Sequence, residues 1–441
     1  MAETELAAQV PPRQGATLGR DVVRLLKLLL ILCVWAPGPA AAGPLEEGVA
    51  AARNGDYATA HRLLRPLGEQ GNAVAQRNLG YMYLLGEGVP QDPAAAVSWY
   101  RKAAEQGEAK AQFNLGLLYD TGQGVPQDYA AAVSWYRKAA EQDLATAQYN
   151  LGIMYHLGRG VPRDAAAAVS WFRKAAEQGD AKAQSNLGVM YAQGQGVPQD
   201  HAAAVSWFRK AAEQGHGGAQ HNLGVRYERG QGVPRDDAAA VSWYRKAADQ
   251  GLAAAQTNLG VMYEQGQGVP QDYAAAVSWY RKAAEQGHAD AQHNLGLLYY
   301  HGRGVPRDHA AAAAWYRKAA DQGDGAAQVK LGLLYGTGQG VSQDDAAAAS
   351  WFRKAADQGE AAGQFNLGVL YAHGRGVPLD YVQAYKWFEL ASLRYDASDK
   401  ERRENAVRNR DMVAAKMTPA QIAEAQKLVR EWKPAPDGGR Q

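Results

Sequence analysis

A stretch of 36 residues recurs nine times in this chain without insertion or deletion, and this period constrains the fold more than any other feature of the sequence. The nine copies begin at Gly71, Gly107, Asp143, Gly179, Gly215, Gly251, Gly287, Gly323 and Gly359. A fixed period of this length is typical of a repeat protein, in which each copy must stack on its neighbours to bury its apolar face. The length of 441 residues therefore indicates a number of repeats and not a number of independent domains.

Each copy predicts two helices joined by a glycine-containing turn. In the copy that begins at Gly107, the first apolar stripe at helical spacing comprises Ala111, Leu115, Leu118 and Tyr119. The second stripe comprises Ala132, Val133, Tyr136, Ala139 and Ala140, with Trp135 beside it. Gly122 and Gly124 are expected to end the first helix, and the carboxylate of Asp128 is expected to cap the second.

Positions that stay constant between copies predict the structural core. This predicted core comprises Leu115, Gly116, Tyr119, Trp135, Trp171, Trp207, Trp243 and Trp279. One copy is too small to bury such aromatic side chains, whereas stacked copies can bury them. The chain is therefore predicted to be all-α, an α-solenoid of helix-turn-helix repeats.

Residues 1–42 predict a secretory signal peptide. Four basic residues between Arg13 and Lys27 precede an apolar run from Leu28 to Val34, and small residues follow at 40–42. The run is shorter than the about 20 residues that a membrane span requires, so no span is expected after cleavage. An uncleaved N-terminal anchor is the alternative. Because Cys33 is the only cysteine, the mature chain would have neither disulfide bonds nor thiol chemistry.

The rest of the chain divides around the repeats. Residues 43–70 are predicted to be an atypical first, capping repeat, 71–394 the nine full repeats, 395–433 a C-terminal helical cap, and 434–441 a disordered tail. Two capping-box patterns, which begin at Ser398 and Thr418, predict the starts of the two cap helices. A role of these helices in docking a partner is the alternative to shielding the last repeat from water.

The motif AQxNLGxxY…GxGVPQDYxxAxxWYRKAAEQG resembles the Sel-one-like repeat, a relative of the tetratricopeptide repeat, over about four-fifths of the chain (45–395). This resemblance implies right-handed superhelical stacks that act as adaptors in protein–protein assembly, often exported or working at the bacterial envelope. One branch of the family, with disulfide-linked repeats, is associated with penicillin binding and β-lactam hydrolysis. This chain lacks the cysteines of that branch.

The first helix of each repeat carries positions that vary between copies, and we call the residues equivalent to Phe113 and Asp120 column 113 and column 120. On a helical wheel both columns lie roughly opposite the apolar stripe, beside Leu117. The resemblance implies that first helices line a concave face that binds a partner. The predicted binding residues are Arg77, Phe113, Asp120, Tyr149, His156, His221, Glu228, Glu264, His293, Tyr300 and Phe365. Drift at solvated positions after duplication would give the same variation.

Two further recurring features have both structural and binding interpretations. The asparagine column, which contains Asn114, is interpreted as a structural hydrogen bond, with contact to a ligand's main chain as the alternative. The Arg137-Lys138 pair is interpreted as a solvated outer face with i,i+4 pairing to Glu141. A basic stripe for anionic cell-wall polymers is the alternative.

The charge balance of the chain and its lack of catalytic motifs favour a binding function over nucleic-acid binding or catalysis. With 47 basic and 45 acidic residues, the chain lacks the basic excess expected of a nucleic-acid binder. The histidines show neither i,i+4 pairs nor HExxH, so no metal site is expected, and no catalytic residue or cofactor site is predicted. The predicted function is that of a periplasmic or secreted scaffold for an unidentified protein or peptide partner, with no enzymatic activity. An envelope enzyme of the β-lactamase or penicillin-binding type and a passive spacer are the alternatives.

Overall fold

A computed structural model describes residues 43–396 and 398–435, which form 22 α-helices and, within these ranges, no β-strand. The predicted signal peptide, 1–42, lies outside the described residues. The described chain divides into two compact parts, an N-terminal part that ends at Pro234 and a C-terminal part that begins at Arg235. Each part is a stack of helices in chain order, in which every helix packs on the next one along the chain up to α21. The prediction of an all-α solenoid is confirmed.

The helices follow the repeat. The first pair is α1 (Pro44–Arg53) and α2 (Tyr57–Glu69). The first helices of the nine repeats are α3 (Ala73–Leu85), α5 (Ala109–Thr121), α7 (Ala145–Leu157), α9 (Ala181–Gln193), α11 (Gly217–Arg229), α13 (Ala253–Gln265), α15 (Ala289–His301), α17 (Gly325–Thr337) and α19 (Ala361–His373). Their second helices are α4 (Pro93–Glu105), α6 (Tyr129–Ala140), α8 (Ala165–Glu177), α10 (His201–Glu213), α12 (Asp237–Asp249), α14 (Tyr273–Glu285), α16 (His309–Asp321), α18 (Asp345–Asp357) and α20 (Tyr381–Arg394). The last two helices are α21 (Lys400–Ala414) and α22 (Pro419–Glu431).

The helix ends form as the turn residues predict. Gly122 ends α5 in the left-handed conformation, with φ of 72°, and its N–H donates to the carbonyl of Leu118. The carboxylate of Asp128 accepts hydrogen bonds from the N–H groups of Ala130 and Ala131 at 2.9 and 3.0 Å, which caps α6. These caps satisfy backbone groups that have no partner inside the helix. The chain therefore reverses direction at the same place in each repeat.

The centre of each repeat is an aromatic residue of the second helix. At the position of Tyr136 the nine side chains are at most 3% exposed: Tyr100, Tyr136, Phe172, Phe208, Tyr244, Tyr280, Tyr316, Phe352 and Phe388. Leu115 is fully buried, and a Cβ at Gly116 would lie 2.8 Å from the ring of Tyr136. The absence of a side chain at Gly116 therefore lets the two helices of a repeat approach closely.

Tyr119 and the tryptophan column were predicted to lie in the core, and the structure corrects this. Tyr119 and the tryptophans Trp135, Trp171, Trp207, Trp243 and Trp279 are only partly buried. Trp135 lies against the apolar cluster of the preceding repeat, which contains Leu84, Tyr100 and Leu115. The neighbouring residue, Tyr136, points inward instead, because positions one apart on a helix lie about 100° apart.

Two helices follow the last repeat and pack on α20. Val413 of α21 and Ala425 of α22 join a cluster with Phe388, and the rings of Trp387 and Trp432 lie 6.4 Å apart. Thr418 forms the predicted capping box at the start of α22. The capping box predicted at Ser398 is wrong. Asp399, and not Ser398, is the N-cap of α21, and it makes no side-chain capping hydrogen bond. The hydroxyl of Ser398 donates to Asp396 at 2.6 Å instead of to this helix end. Of the predicted tail, Pro434 and Ala435 are described, and the N–H of Ala435 donates to the carbonyl of Asp357 at 2.7 Å.

Candidate functional site

Column 113 lies between consecutive repeats and not on an open face. Phe113 is 7% exposed and its ring centre lies 5.7 Å from that of Tyr136. Ser185, His221, Thr257 and Val329 are also buried. The predicted binding residues Phe113 and His221 are therefore corrected to positions inside the stack. A helical wheel cannot show this, since the covering atoms come from other helices.

Three polar members of column 113 contact the residue 31 positions later, which is the N-cap of the next first helix. Arg77 forms an ion pair with Glu108 at 2.9 Å. The hydroxyl of Thr257 lies 3.2 Å from Nδ1 of His288, and Nδ1 of His293 lies 3.3 Å from the carboxylate of Asp324. The predicted binding residues Arg77 and His293 thus join repeats to each other. Comparison of each residue with the one 31 positions later, where Arg faces Glu and His faces Asp, could have revealed this from the sequence.

Column 120 packs toward the second helix of the same repeat. The hydroxyl of Tyr280 donates to Glu264 at 2.7 Å, and that of Tyr136 donates to Asp120 at 3.4 Å. Burial, and after it the nearby carboxylate, raises the pKa of Tyr136 and of Tyr280 well above the usual value for a phenol. These phenols therefore stay neutral and donate to the carboxylates throughout the physiological pH range.

The remaining predicted members of column 120 and column 113 lie in separate surroundings that range from buried to partly exposed. His156 is 7% exposed, which corrects its expected place on an open face. Tyr300 makes edge-on contact with the ring of His309, with ring centres 4.8 Å apart. Tyr149 packs against Phe172, with ring centres 5.9 Å apart, and Glu228 is partly buried. The predicted set therefore does not form one continuous open surface.

A ladder of buried glutamines explains the invariance of the Gln112 column. The side-chain NH₂ of Gln112 donates to the carbonyl of Ala104 at 3.1 Å, and its carbonyl accepts from Gln142 at 2.8 Å. The same pair of bonds recurs at Gln148, Gln184, Gln256, Gln292 and Gln328. The bond to the alanine carbonyl joins each repeat to the one before it, and the bond between the two glutamines lies within one repeat. The column is therefore structural and leaves no glutamine amide for a ligand there.

The asparagine column also serves the helix in the copies where its bond is described. The NH₂ groups of Asn78, Asn150 and Asn366 donate to the carbonyl four residues earlier, at 2.7, 2.8 and 2.8 Å. This agrees with the structural interpretation. Lys330 replaces asparagine in the eighth repeat and cannot reproduce the short amide contact.

Arg137 and Lys138 are exposed, as expected of a solvated outer face, but Arg137 bonds to the next repeat instead of pairing with Glu141. Arg137 donates to the hydroxyl of Tyr155 in the next repeat at 2.6 Å, and the ammonium of Lys138 lies 4.1 Å from the ring centre of Trp135. The Arg–Tyr bond recurs in both parts, from Arg101–Tyr119, Arg173–Tyr191 and Arg209–Tyr227 to Arg245–Tyr263, Arg281–Tyr299, Arg317–Tyr335 and Arg353–Tyr371. Lysine–tryptophan stacking recurs with it.

An open cleft of about 430 Å³ lies in the C-terminal part, between the first helices of the last two repeats and the helix that follows the repeats. Its walls come from α17, α19 and α21, with Tyr395 between α20 and α21. The lining residues are Ala326, Val329, Lys330, Leu333, Glu360, Ala362, Phe365, Asn366, Tyr395, Arg402 and Asn405. Phe365 is the predicted binding residue that lines it. Val329 and Leu333 belong to the first-helix columns of Phe113 and Leu117, whereas Arg402 and Asn405 were missed, because the wall formed by α21 does not belong to the repeat pattern.

The cleft combines an apolar floor with two cations. Leu333 is a large apolar side chain of a first helix that is 40% exposed. Lys330 lies one helical turn before it, and Arg402 enters from α21. The guanidinium of Arg402 is paired with Asp399 at 3.3 Å, with 68% of the arginine side chain exposed. Burial raises the pKa of the Tyr395 phenol, which therefore remains a hydrogen-bond donor at neutral pH.

The described residues contain neither a group of metal-ligating side chains nor a helix that could span a membrane. Between residues 43 and 435, without 397, no three His, Cys, Asp or Glu side chains are grouped as metal ligands. In the same ranges no helix has the length and apolar character needed to cross a membrane.

Comparison with known proteins gives consistent matches to one kind of repeat. The sequence model of the Sel1 repeat matches nine segments: 73–108, 109–144, 145–180, 181–216, 218–252, 253–288, 289–324, 325–360 and 361–396. A protective antigen of uropathogenic Escherichia coli with an SLR fold is 39% identical over 84% of this chain and 94% of its own, with a TM-score of 0.50. A Sel1 repeat protein of Oxalobacter formigenes is 35% identical over 78% of this chain and 99% of its own, with a TM-score of 0.57. Comparison with curated proteins found no match.

Proposed function

This chain belongs to the Sel1 repeat family, and from this premise we propose that it is a scaffold that binds a protein partner by holding a peptide segment in the cleft of its C-terminal part. Sel1 repeat proteins generally serve as scaffolds for protein–protein interaction. The observation that carries the proposal is the cleft itself, where an apolar floor is open to solvent.

The size and lining of the cleft suit a few peptide side chains. A volume of about 430 Å³ lies within the range of about 300–1,000 Å³ that is usual for ligand sites. Leu333 and Phe365 offer apolar surface that a partner can cover. The side-chain carbonyl of Asn366 can accept from a peptide backbone and the NH₂ of Asn405 can donate to one, while the other half of each amide bonds to Ala362 and Arg408 respectively.

We assign a binding role and not a catalytic one. The recurring polar side chains that might suggest chemistry, such as Arg137 and Gln112, make hydrogen bonds between repeats. The cleft holds no serine or cysteine nucleophile and no histidine base among its lining residues. Its groups can bind and orient a partner.

Photocrosslinking in cells tests the proposal. A photoreactive phenylalanine analogue at Leu333 should crosslink to a discrete protein partner, because that side chain lies on the open floor of the cleft. The matched control places the same analogue at Glu285, an exposed residue at the end of α14. Equal crosslinking from both positions, or none from position 333, would overturn the proposal.

We also propose that the scaffold works outside the cytoplasm, as a periplasmic or secreted protein. The support is the sequence of residues 1–42, with its basic segment, short apolar run and small residues. Cleavage should give a mature N-terminus near Gly43, which N-terminal sequencing of the protein from cell fractions would reveal. A chain that keeps residues 1–42 and sediments with membranes would indicate the anchor instead.

A further inference from the structure

The cleft has a charge pattern that indicates the chemistry of its ligand. We propose that it binds an extended segment inside a partner protein, in which an acidic side chain and a large apolar side chain are two positions apart. This inference rests on the proposed function and adds the chemical class of the bound segment.

The first support is the one departure from the asparagine column. Eight repeats carry asparagine there, and the eighth repeat carries Lys330. Where its bond is described, as at Asn366, the asparagine amide turns back to its own helix. Lys330 lines the cleft, and the described residues include no carboxylate within ion-pair distance of its ammonium. A cation at the edge of an apolar cleft is a site for an anionic group of a partner.

The second support is Arg402, which reaches the same cleft from α21 and therefore from outside the repeat pattern. Its contact with Asp399 at 3.3 Å is an exposed i,i+3 pair, and such pairs contribute little to stability. The guanidinium can therefore exchange this contact for a carboxylate of the ligand, with which it forms two parallel hydrogen bonds. Glu360, the carboxylate among the lining residues, is exposed to solvent at the start of α19.

The third support is the spacing of the charged and apolar groups. Lys330 and Leu333 are three residues apart on α17, so their Cβ atoms lie on one face about 5–6 Å apart. In an extended peptide, side chains two positions apart point the same way, separated by about 6.6 Å along the strand. An acidic residue and an apolar residue at i and i+2 therefore reach Lys330 and Leu333 together. The NH₂ of Asn366 donates to Ala362 and the side-chain carbonyl of Asn405 accepts from Arg408, so the carbonyl of Asn366 and the NH₂ of Asn405 are the groups that can face the peptide backbone.

Selection from a random peptide library on the full chain tests this inference. The peptides are fused by their C-termini to a phage coat protein, so no free α-carboxylate is present. Enriched peptides should share Asp or Glu two positions from Leu, Ile or Phe. A synthetic version with an amidated C-terminus should bind in a fluorescence anisotropy assay, more weakly at high salt.

Variants assign the contacts. Lys330→Asn restores the residue that eight repeats already carry, so the fold should accept it, and binding should weaken by about tenfold. Arg402→Gln should weaken binding similarly. The control Asn294→Lys places a lysine in the same column of the seventh repeat, outside the cleft lining. Added to Lys330→Asn it restores the net charge, and it should not restore binding.

The outcomes separate the two proposals. In one outcome, Leu333→Asp abolishes binding, but the selected peptides show no preference for an acidic residue and still bind the Lys330→Asn variant. This outcome would overturn the inference about the acidic side chain and leave the scaffold proposal in place. If the synthetic peptides bind only with a free C-terminal carboxylate, the proposal that an internal acidic side chain is recognised would also be overturned. If none of the selected peptides loses binding in the Leu333→Asp variant, the proposal that this cleft binds a peptide is overturned.

Discussion

At the scale of single residues, Asp143 stands where the other eight repeats have glycine. Its φ is 60°, and among the described residues it is the one non-glycine residue with a positive φ. The left-handed conformation costs a residue with a Cβ about 1–2 kcal/mol. The carboxylate recovers part of this through a contact of 3.3 Å with the side-chain amide of Gln148.

Asp143→Gly should therefore stabilise the protein by about 0.5–1 kcal/mol, because it removes the strain and loses one weak hydrogen bond. Urea unfolding followed by circular dichroism measures the change. The reciprocal variant Gly179→Ala, at a φ of 94° with no atom within 4 Å of the new Cβ, should destabilise the chain. A loss of stability in Asp143→Gly would show that the contact with Gln148 outweighs the strain.

The two adjacent aromatic residues of α10 should differ in their effect on stability. Phe208 is 1% exposed, and Phe208→Ala should cost about 3–5 kcal/mol because it opens a cavity. Trp207 is partly exposed, with Lys210 at 4.2 Å from its ring, so Trp207→Ala should cost clearly less. Hydrogen exchange of the amides in α9 and α10 gives the comparison. Equal effects would place the tryptophan in the core after all.

At the scale of helices, five first helices begin at an N-cap side chain that accepts a backbone hydrogen bond: Asn72, Glu108, Asp180, His216 and Asp324. Asp180 caps α9 through the N–H of Ala183 at 2.8 Å, and His216 caps α11 through the N–H of Ala219 at 3.1 Å. The ring nitrogen of His216 can accept this bond only while it is unprotonated. Burial, and then the charge of Lys182, lowers the pKa of His216 below 6.5.

Stability should consequently fall as the pH drops. Because the pKa of His216 is lower in the folded chain, the unfolded chain takes up the proton first as the pH falls through about 6.5. The contribution of neutral His216 to the free energy of unfolding is thus complete above that pH and declines below it. His216→Asp, which copies the cap of α9, should reduce the loss of unfolding free energy between pH 7.5 and 5.5. An unchanged pH profile would mean that other groups cause the dependence.

The period and the turn chemistry predicted most of the local structure. Gly122 and Asp128 define the helix ends, and the stripe that contains Leu115 and Tyr136 is the core. The wheel of a single helix could not place Phe113, since atoms from outside that helix bury it. The cleft could not be predicted because Arg402 belongs to α21, and no repeat pattern fixes how α21 packs.

At the scale of the whole molecule, interactions in both parts run between neighbours along the chain. Stability in such stacks is close to a sum of repeat and nearest-neighbour contributions, so an effect at one end should stay local. The end of the C-terminal part is covered by α21 and α22, which bury Phe388 and Trp387.

Truncation after residue 394 should therefore speed hydrogen exchange in α19 and α20 and leave exchange in α5 and α6 unchanged. The reason is that the loss of α21 and α22 exposes apolar side chains of the last two repeats only. Mass spectrometry of both helix pairs in one sample provides the internal control. Equal acceleration in α5 and α6 would show cooperativity along the whole chain.

The glutamine ladder also has a genetic consequence. Since Gln112 and Gln142 make the same bonds as their counterparts one period later, recombination in register between two copies of the coding sequence would join interfaces that already match. Copy number can then change in steps of 36 residues without a foreign contact. Lys330 and Arg402 belong to the final copies and the cap, so such events upstream would change how many repeats precede the cleft and leave its lining as it is.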